Sequence, residues 1–262
     1  MTRAASIILA LIIVACFAGP LVYDKDPLRI NLDAIKMPMS PEHPLGTDNK
    51  GRDILARTLH GGRISMLIVI GASALTFSLG MTVGLVSGYV GGAVDIALMA
   101  FVDLLLSFPT LLLAIGISII MPPGYLSVLI AIGAVGWVGL ARLVRGQVIV
   151  LRESLQIEAA VAMGAGGIRI LWRYLFPQCL PTTMVAVSMK MGGFMLSEAA
   201  LSFLGLGVQP PAPTWGGMIS ASRVFITSAP WMVIFPGVMI GVTALALNML
   251  GEGLGDGMEL KK

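Results

Sequence analysis

An all-helical integral membrane protein with about six transmembrane helices is the fold class that the sequence predicts. Three observations lead there. Of the 262 residues, 56% are hydrophobic and only 12% are charged. The mean hydropathy is +0.91, and too little polar sequence remains to cover the apolar surface of a water-soluble globule, so the bilayer must act as the solvent. Apolar runs of the ~20 residues needed to cross a hydrocarbon core of ~30 Å recur along the chain. The 32 glycines and 17 methionines agree with this environment, because small residues let helices approach closely in lipid and flexible thioethers fill irregular gaps.

The expected spans are residues 4–22, 64–87, 96–120, 125–144, 181–201 and 230–250. The first follows Arg3 directly, has no A-x-A cleavage site and runs to Pro20, so it reads as a retained helix and not as a cleaved signal peptide. Residues 23–63 are polar and carry Pro27, Pro38, Pro41 and Pro44, which makes them a loop outside the hydrocarbon, with Arg52–His60 as a short interfacial helix. Gly88-Tyr89-Val90-Gly91-Gly92 and Pro122-Pro123-Gly124 are turns, so the second, third and fourth spans are antiparallel neighbours. From Arg142 to Pro177 the chain is helical but amphipathic, with Arg142, Arg145, Arg152, Arg169 and Arg173 among apolar residues, as expected at a membrane surface. Residues 202–229 hold Pro210, Pro211 and Pro213 and form an irregular connection that dips into the protein without spanning.

The charge pattern leaves the orientation open. With both termini in the cytoplasm, Arg3, the five arginines of 142–177, Lys261 and Lys262 fall inside, and Lys25, Arg29, Lys36, Lys50, Arg52, Arg57, Arg63 and Arg223 fall outside, a tie under the positive-inside rule. The net charge of +3 is scattered, which fits loop topology better than nucleic-acid binding. Cys16 and Cys179 offer neither a disulfide framework nor C-x-x-C spacing and read as buried thiols. No inverted internal repeat is visible, which weakens the case for a secondary transporter built that way.

Glu158-Ala159-Ala160-Val161-Ala162-Met163-Gly164, with Pro177 thirteen residues beyond Gly164, is the most informative stretch. The alanines favour helix, Gly164, Gly166 and Gly167 permit a sharp C-terminal turn, and Ile168 to Leu175 resumes helical spacing before Pro177 ends it. A helix–turn–helix of two short helices projecting from the membrane is expected, or an interfacial loop lying on headgroups.

This stretch resembles the EAA motif of bacterial and archaeal ABC-importer permeases: Glu158, Ala159, Ala160, Gly164 and Pro177 match, while Tyr174 and Phe176 stand where Ile and Leu are usual. His43-Pro44-Leu45-Gly46-Thr47-Asp48-Asn49-Lys50-Gly51-Arg52-Asp53 and Leu201-Ser202-Phe203-Leu204-Gly205-Leu206-Gly207-Val208-Gln209-Pro210-Pro211 resemble the C-type permease subunit of dipeptide, oligopeptide and nickel importers. The resemblance implies a MetI-like, type I importer transmembrane domain in the cytoplasmic (inner) membrane with both termini cytoplasmic. Residues 1–22 would be an N-terminal transmembrane helix, 23–63 an extracytoplasmic loop and 64–262 the core permease with a cytoplasmic coupling loop at 146–177. It implies a homologous B-type permease as heterodimer partner, two ATPase subunits that bind ATP and Mg, and an extracytoplasmic solute-binding protein. Glu158, Ala159, Ala160, Met163, Gly164 and Pro177 would then couple the chain to the ATPases. The chain itself would hold no cofactor or metal and carry no catalytic residue.

The residues support no competing chemistry. Gly46–Asp53 imitates a P-loop but has Arg52 and Asp53 where Lys and Ser/Thr are needed, so Asp48 and Asp53 read as turn and cap residues. His43 and His60 are too few and too far apart for a zinc site. Three ionisable residues fall within spans, where an unpaired charge costs several kcal/mol: Asp103, Lys190 and Glu198. Lys190 lies ~14 Å along the fifth span from Pro181, near mid-membrane, and either pairs with Asp103, faces the translocation path or bridges helices structurally. Glu198 lies ~26 Å along, near the outer boundary, and is expected at an external gate against the solute-binding protein or the sister permease. A gradient-driven transporter or channel using Asp103, Lys190 and Glu198 as a relay is the alternative reading.

Overall fold

A computed structural model describes residues 2–259, so Lys261 and Lys262 of the charge count lie outside the described residues. Ten α-helices follow in order: α1 (Thr2–Val22), α2 (Ile54–Val90), α3 (Gly92–Leu106), α4 (Thr110–Ile120), α5 (Tyr125–Arg152), α6 (Leu155–Ala162), α7 (Gly167–Ile170), α8 (Phe176–Phe203), α9 (Trp215–Ser222) and α10 (Trp231–Glu259). No strand occurs among the described residues. Five helices are long and apolar enough to cross a membrane, or six spans if the bent pair α3–α4 counts as one.

Helix α1 leans on α2 and α10, and its Pro20 has no N–H to offer the carbonyl of Cys16. The Arg63 guanidinium of α2 takes that place, with Nε donating to Cys16 O at 2.8 Å and a further bond to Phe17 O. The carbonyls left free near Pro20 and the arginine thus tie the first helix to the second.

Arg52–His60 is not a separate interfacial helix. Asp53 caps α2 by accepting from Ala56 N at 2.9 Å, and the helix runs unbroken from Ile54 through the expected second span to Val90. At ~1.5 Å per residue, α2 is ~55 Å long and outreaches a hydrocarbon core of ~30 Å. The cap carries more than one bond: Asp53 Oδ2 also accepts from Tyr23 OH at 2.8 Å, meets His43 Nδ1 at 2.8 Å and lies 3.6 Å from Lys25 Nζ. Burial, and then the neighbouring Asp53 carboxylate, pushes the Tyr23 phenol well above its ordinary value, so it stays a donor at any physiological pH. Asp53→Ala removes the cap and strands these partners together, and a loss of about 2–3 kcal/mol in unfolding free energy is expected, read as a lowered thermal midpoint in detergent.

The centre of the bundle is the α2–α5 seam, built on a glycine stripe. Gly80, Gly84 and Gly88 face Leu140, Val144 and Val148, and a Cβ on Gly84 would lie 2.6 Å from Val144 Cβ and 2.7 Å from Ala141 O. Glycine there sets how closely the two backbones approach. The chain reverses between α2 and α3 at Gly91 and Gly92, with φ of 67° and 56°.

Three expectations need correction. Residues 96–120 are not one straight span but α3 and α4, bent by 93° across Ser107-Phe108-Pro109. Pro109 cannot donate to the helix and disfavours α geometry at Phe108, and Ser107 Oγ closes α3 on Leu104 O at 2.6 Å. Arg142, Arg145 and Arg152 do not begin a surface segment, since all three belong to α5, which is continuous to Arg152. Pro177 does not end a helix. It sits in the first turn of α8, and α7, a π turn at Leu171–Leu175 and α8 form one helical run, Gly167–Phe203. Phe176 N donates to Leu171 O, five residues back, which widens the helix where the Pro177 ring would otherwise press on the carbonyl of Arg173.

Within the connection expected at 202–229, the stretch around α9 turns inward, while the residues on either side of it are largely exposed. Thr214 caps α9 through Gly217 N at 3.0 Å, and Trp215 is fully buried with Nε1 donating to Thr58 O at 2.8 Å.

Candidate functional site: the α5–α8 surface loop and the α4–α5–α8 groove

Beyond α5 the chain leaves the bundle and returns through α6 and α7, at the end of the molecule where α2 ends and α3 begins. Ile157 presses α6 onto a buried cluster of Met81, Leu85, Val144, Val148, Ile170, Leu175 and Cys179, and Ala160 is buried on the same helix. The opposite face is open and apolar: Leu155 is 82%, Met163 79% and Ile168 77% exposed, and Val161 and Trp172 are exposed as well. These large apolar side chains gather into one exposed patch on a protruding loop. A groove of about 450 Å³ runs beside α6, lined by Arg152, Glu153, Ile157, Glu158, Val161 and Ala162.

The turn after α6 is a Schellman motif. Gly164 N donates to Val161 O at 2.9 Å, Ala165 N donates to Ala160 O at 3.0 Å, and Gly164 takes the left-handed φ of 80° that the motif requires. Of the six residues expected in coupling, Glu158, Ala159, Met163 and Gly164 are exposed on α6 or its turn. Ala160 differs: it is 1% exposed and faces the chain's own core, so its small side chain seats the helix and does not reach outward. Pro177 lies beyond the loop, on α8, where it imposes the π turn. Tyr174 and Phe176 pack against the cluster beneath α6, so the departure from the usual Ile and Leu is absorbed inside the chain.

A polar clamp ties this loop to the bundle, and the sequence reading missed it. Arg145 grips Asp95 with two bonds of 2.6 Å from Nε and NH2, Ser87 Oγ also donates to Asp95, and Arg152 NH1 donates to Gly88 O at 3.1 Å. These contacts bind the end of α5 to the α2–α3 turn. Sequence spacing carries no signal for them, because partners 50 residues apart meet only after α2, α3 and α5 have packed. Arg145→Met leaves the Asp95 carboxylate with one hydroxyl and is expected to cost about 1–2 kcal/mol, seen as a thermal midpoint a few degrees lower.

The three charged span residues do not converge. Asp103 pairs with Arg142 of α5, not with Lys190, because α3 lies against α5: Val102 is buried among Trp137, Val138 and Ala141, and the Phe101 ring stacks on Trp137 at 6.4 Å. Glu198 is fully buried, accepts from Ser202 Oγ at 2.8 Å and reaches no outer surface, so it is not an external-gate contact. Lys190 lines a separate groove of about 290 Å³ between α4, α5 and α8, with Thr110, Leu111, Ala114, Ile132, Val135, Gly193, Phe194 and Ser197. With one residue paired, one sealed and one apart, no relay joins them.

Residues 80–259, which include α6 and its turn, match the family described as binding-protein-dependent transport system inner membrane component. The chain is 41% identical to the dipeptide transport system permease protein DppC of Alkalihalophilus pseudofirmus over 97% of its own length and 84% of the relative's. It is 36% identical to the oligopeptide transport system permease protein OppC of Haemophilus influenzae, over 98% of the chain and 84% of that protein. It is 40% identical to the glutathione transport system permease protein GsiD of Pectobacterium atrosepticum, over 97% of the chain and 84% of that protein. A multi-pass helical bundle with a protruding α6 loop, matched by this family across most of its length, belongs to the permeases of binding-protein-dependent ABC importers.

Proposed function

We propose that this chain is the C-type half of a heterodimeric peptide importer of the cytoplasmic membrane, with both termini and the α6 loop in the cytoplasm and residues 23–53 outside. The observation that carries the reading is the α6 loop: an apolar, outward face around Glu158 and Met163, set on a rigid glycine turn and clamped to α2 and α5. Such a surface suits a groove on an ATPase, and its clamp suits the transfer of motion to α2 and α5. The groove holding Lys190 is the natural wall of a path completed by a homologous B-type permease. A solute-binding protein would deliver cargo to the opposite end, and the ATPases would hydrolyse ATP with Mg. Peptides are the cargo class favoured by relatives named for dipeptide, oligopeptide and glutathione transport.

The test is affinity purification of the tagged chain from its native membrane in mild detergent, with mass spectrometry of everything retained. A second permease and Walker-motif ATPases are expected, with the ATPases lost from a Gly164→Asp variant that still holds the permease. Recovery of the chain alone, in a form that transports without ATP, overturns the reading.

A further inference from the structure

We propose that the groove between α4, α5 and α8 is a recognition site for a carboxylate carried by the solute, with the Lys190 ammonium as its counter-charge. This deepens the importer reading, on which it rests, by naming the chemical class of cargo the chain accepts.

Five other cations of the bundle are matched within the chain. Arg57 meets Asp48 and Pro27 O, Arg63 meets carbonyls of α1, Arg142 meets Asp103, Arg145 meets Asp95, and Arg152 meets Gly88 O. Each is matched by a carboxylate or a main-chain oxygen of the chain itself. Lys190 has no such partner among the described residues, although it stands near the midpoint of α8, ~20 Å from either end. A single ammonium at that depth is costly unless it faces water or an anion. The groove supplies the space for one.

The groove's walls fit a small organic anion. Ala114, Ile132, Val135 and Phe194 are apolar, no acidic side chain lines the cavity, and Thr110 adds a hydroxyl. A Cβ on Gly139 would lie 3.8 Å from Lys190 Nζ, so the ammonium rests against a part of α5 that bears no side chain and is not shielded by one. At about 290 Å³ the site is near the lower limit of small-molecule pockets and matches the terminal part of a peptide better than a whole one. The same uncompensated charge repels a bare divalent cation. Of the cargoes compatible with the sequence, free nickel is therefore disfavoured and solutes ending in a free carboxylate are selected.

The test uses the detergent-solubilised permease pair with its ATPases, without the solute-binding protein, so that the latter's selectivity does not enter. Binding of alanyl-alanine and of its C-terminal amide is measured by equilibrium dialysis for the wild type, Lys190→Met and Lys190→Arg. The wild type should bind the free acid about tenfold or more tightly than the amide, Lys190→Met should bind both alike, and Lys190→Arg should keep the preference. A wild type without preference, or a Lys190→Met variant that retains it, overturns the proposal. Uptake into proteoliposomes with the binding protein and ATP separates the two levels of inference. Wild-type uptake without acid preference in binding removes only the carboxylate site. Absence of ATP-driven peptide uptake removes the importer reading and this site with it.

Discussion

Glu158→Lys should lower ATP-driven uptake by about tenfold or more while leaving the amount and thermal midpoint of the protein in the membrane unchanged. The residue lies on the exposed face of α6, beside the groove lined by Arg152 and Glu153, and among the described residues it has no ion pair or side-chain hydrogen bond to lose. Exposed substitutions of this kind usually change stability by less than about 0.5 kcal/mol. Any loss of transport must therefore arise at a surface that meets another protein. Gly164→Val reaches the same end by a different route. A β-branched residue at a φ of 80° costs about 1–2 kcal/mol of local strain, so the Schellman turn reopens and α6 is no longer presented at a fixed angle. Uptake and ATPase rates of the reconstituted complex, beside thermal unfolding of the variant, decide the matter. Normal uptake in both variants would exclude a coupling role for this loop.

Gly84→Leu is expected to have the largest effect on the protein itself, with loss of folded chain from the membrane. A Cβ at this position already meets the backbone oxygen of Ala141 at 2.7 Å, and a backbone atom cannot turn aside as the tip of a side chain can. Relief requires α2 and α5 to move apart, which uncovers Val144 and Val148 and loosens the cluster that seats α6. Overpacking of this kind costs about 1–3 kcal/mol for a modest misfit, and a leucine adds three further carbons to it. Gly84→Ala should be a graded version, with lower yield and a midpoint several degrees lower. Gly116, whose Cβ position meets nothing within 4 Å, is the control, and Gly116→Ala should leave both unchanged. Size-exclusion profiles and thermal scans of the three variants test the seam, and a well-folded Gly84→Leu protein would show that α2 and α5 do not pack as described.

Much of the architecture was legible in the residues. The spans were visible because ~20-residue apolar runs have no other solvent, and the cap and turn roles of Asp53 and Asp48 were visible because such roles are local. Asp48 Oδ1 accepts from Lys50 N at 2.8 Å and Arg52 N at 3.0 Å. The turn after Glu158–Met163 was legible for the same reason, since a left-handed glycine closes bonds to residues three and five positions back.

The errors were of a different kind. Pro177 read as a helix stop because its local chemistry forbids a regular α bond, yet a π turn satisfied the backbone and the apolar run of α8 continued through it. The arginines of 142–152 read as surface residues because their partners, Asp95 and Asp103, are distant in sequence. Ala160, one of the six residues expected in coupling, lies with Ile157 on the buried side of α6, which its residue type alone does not reveal.

The sequence by itself determined the solvent, the number of crossings and the place of the α6 helix and its glycine turn, because hydropathy, helix period and turn geometry act over a few to ~20 residues. Only the tertiary structure decided which charges pair. Asp103 went to Arg142 because α3 packs on α5, Glu198 was closed off in the interior, and Lys190, without a partner among the described residues, lines a groove between three helices. A charge in lipid takes whichever partner lies at its own depth and on its own face, and both are set by the contacts of neighbouring helices.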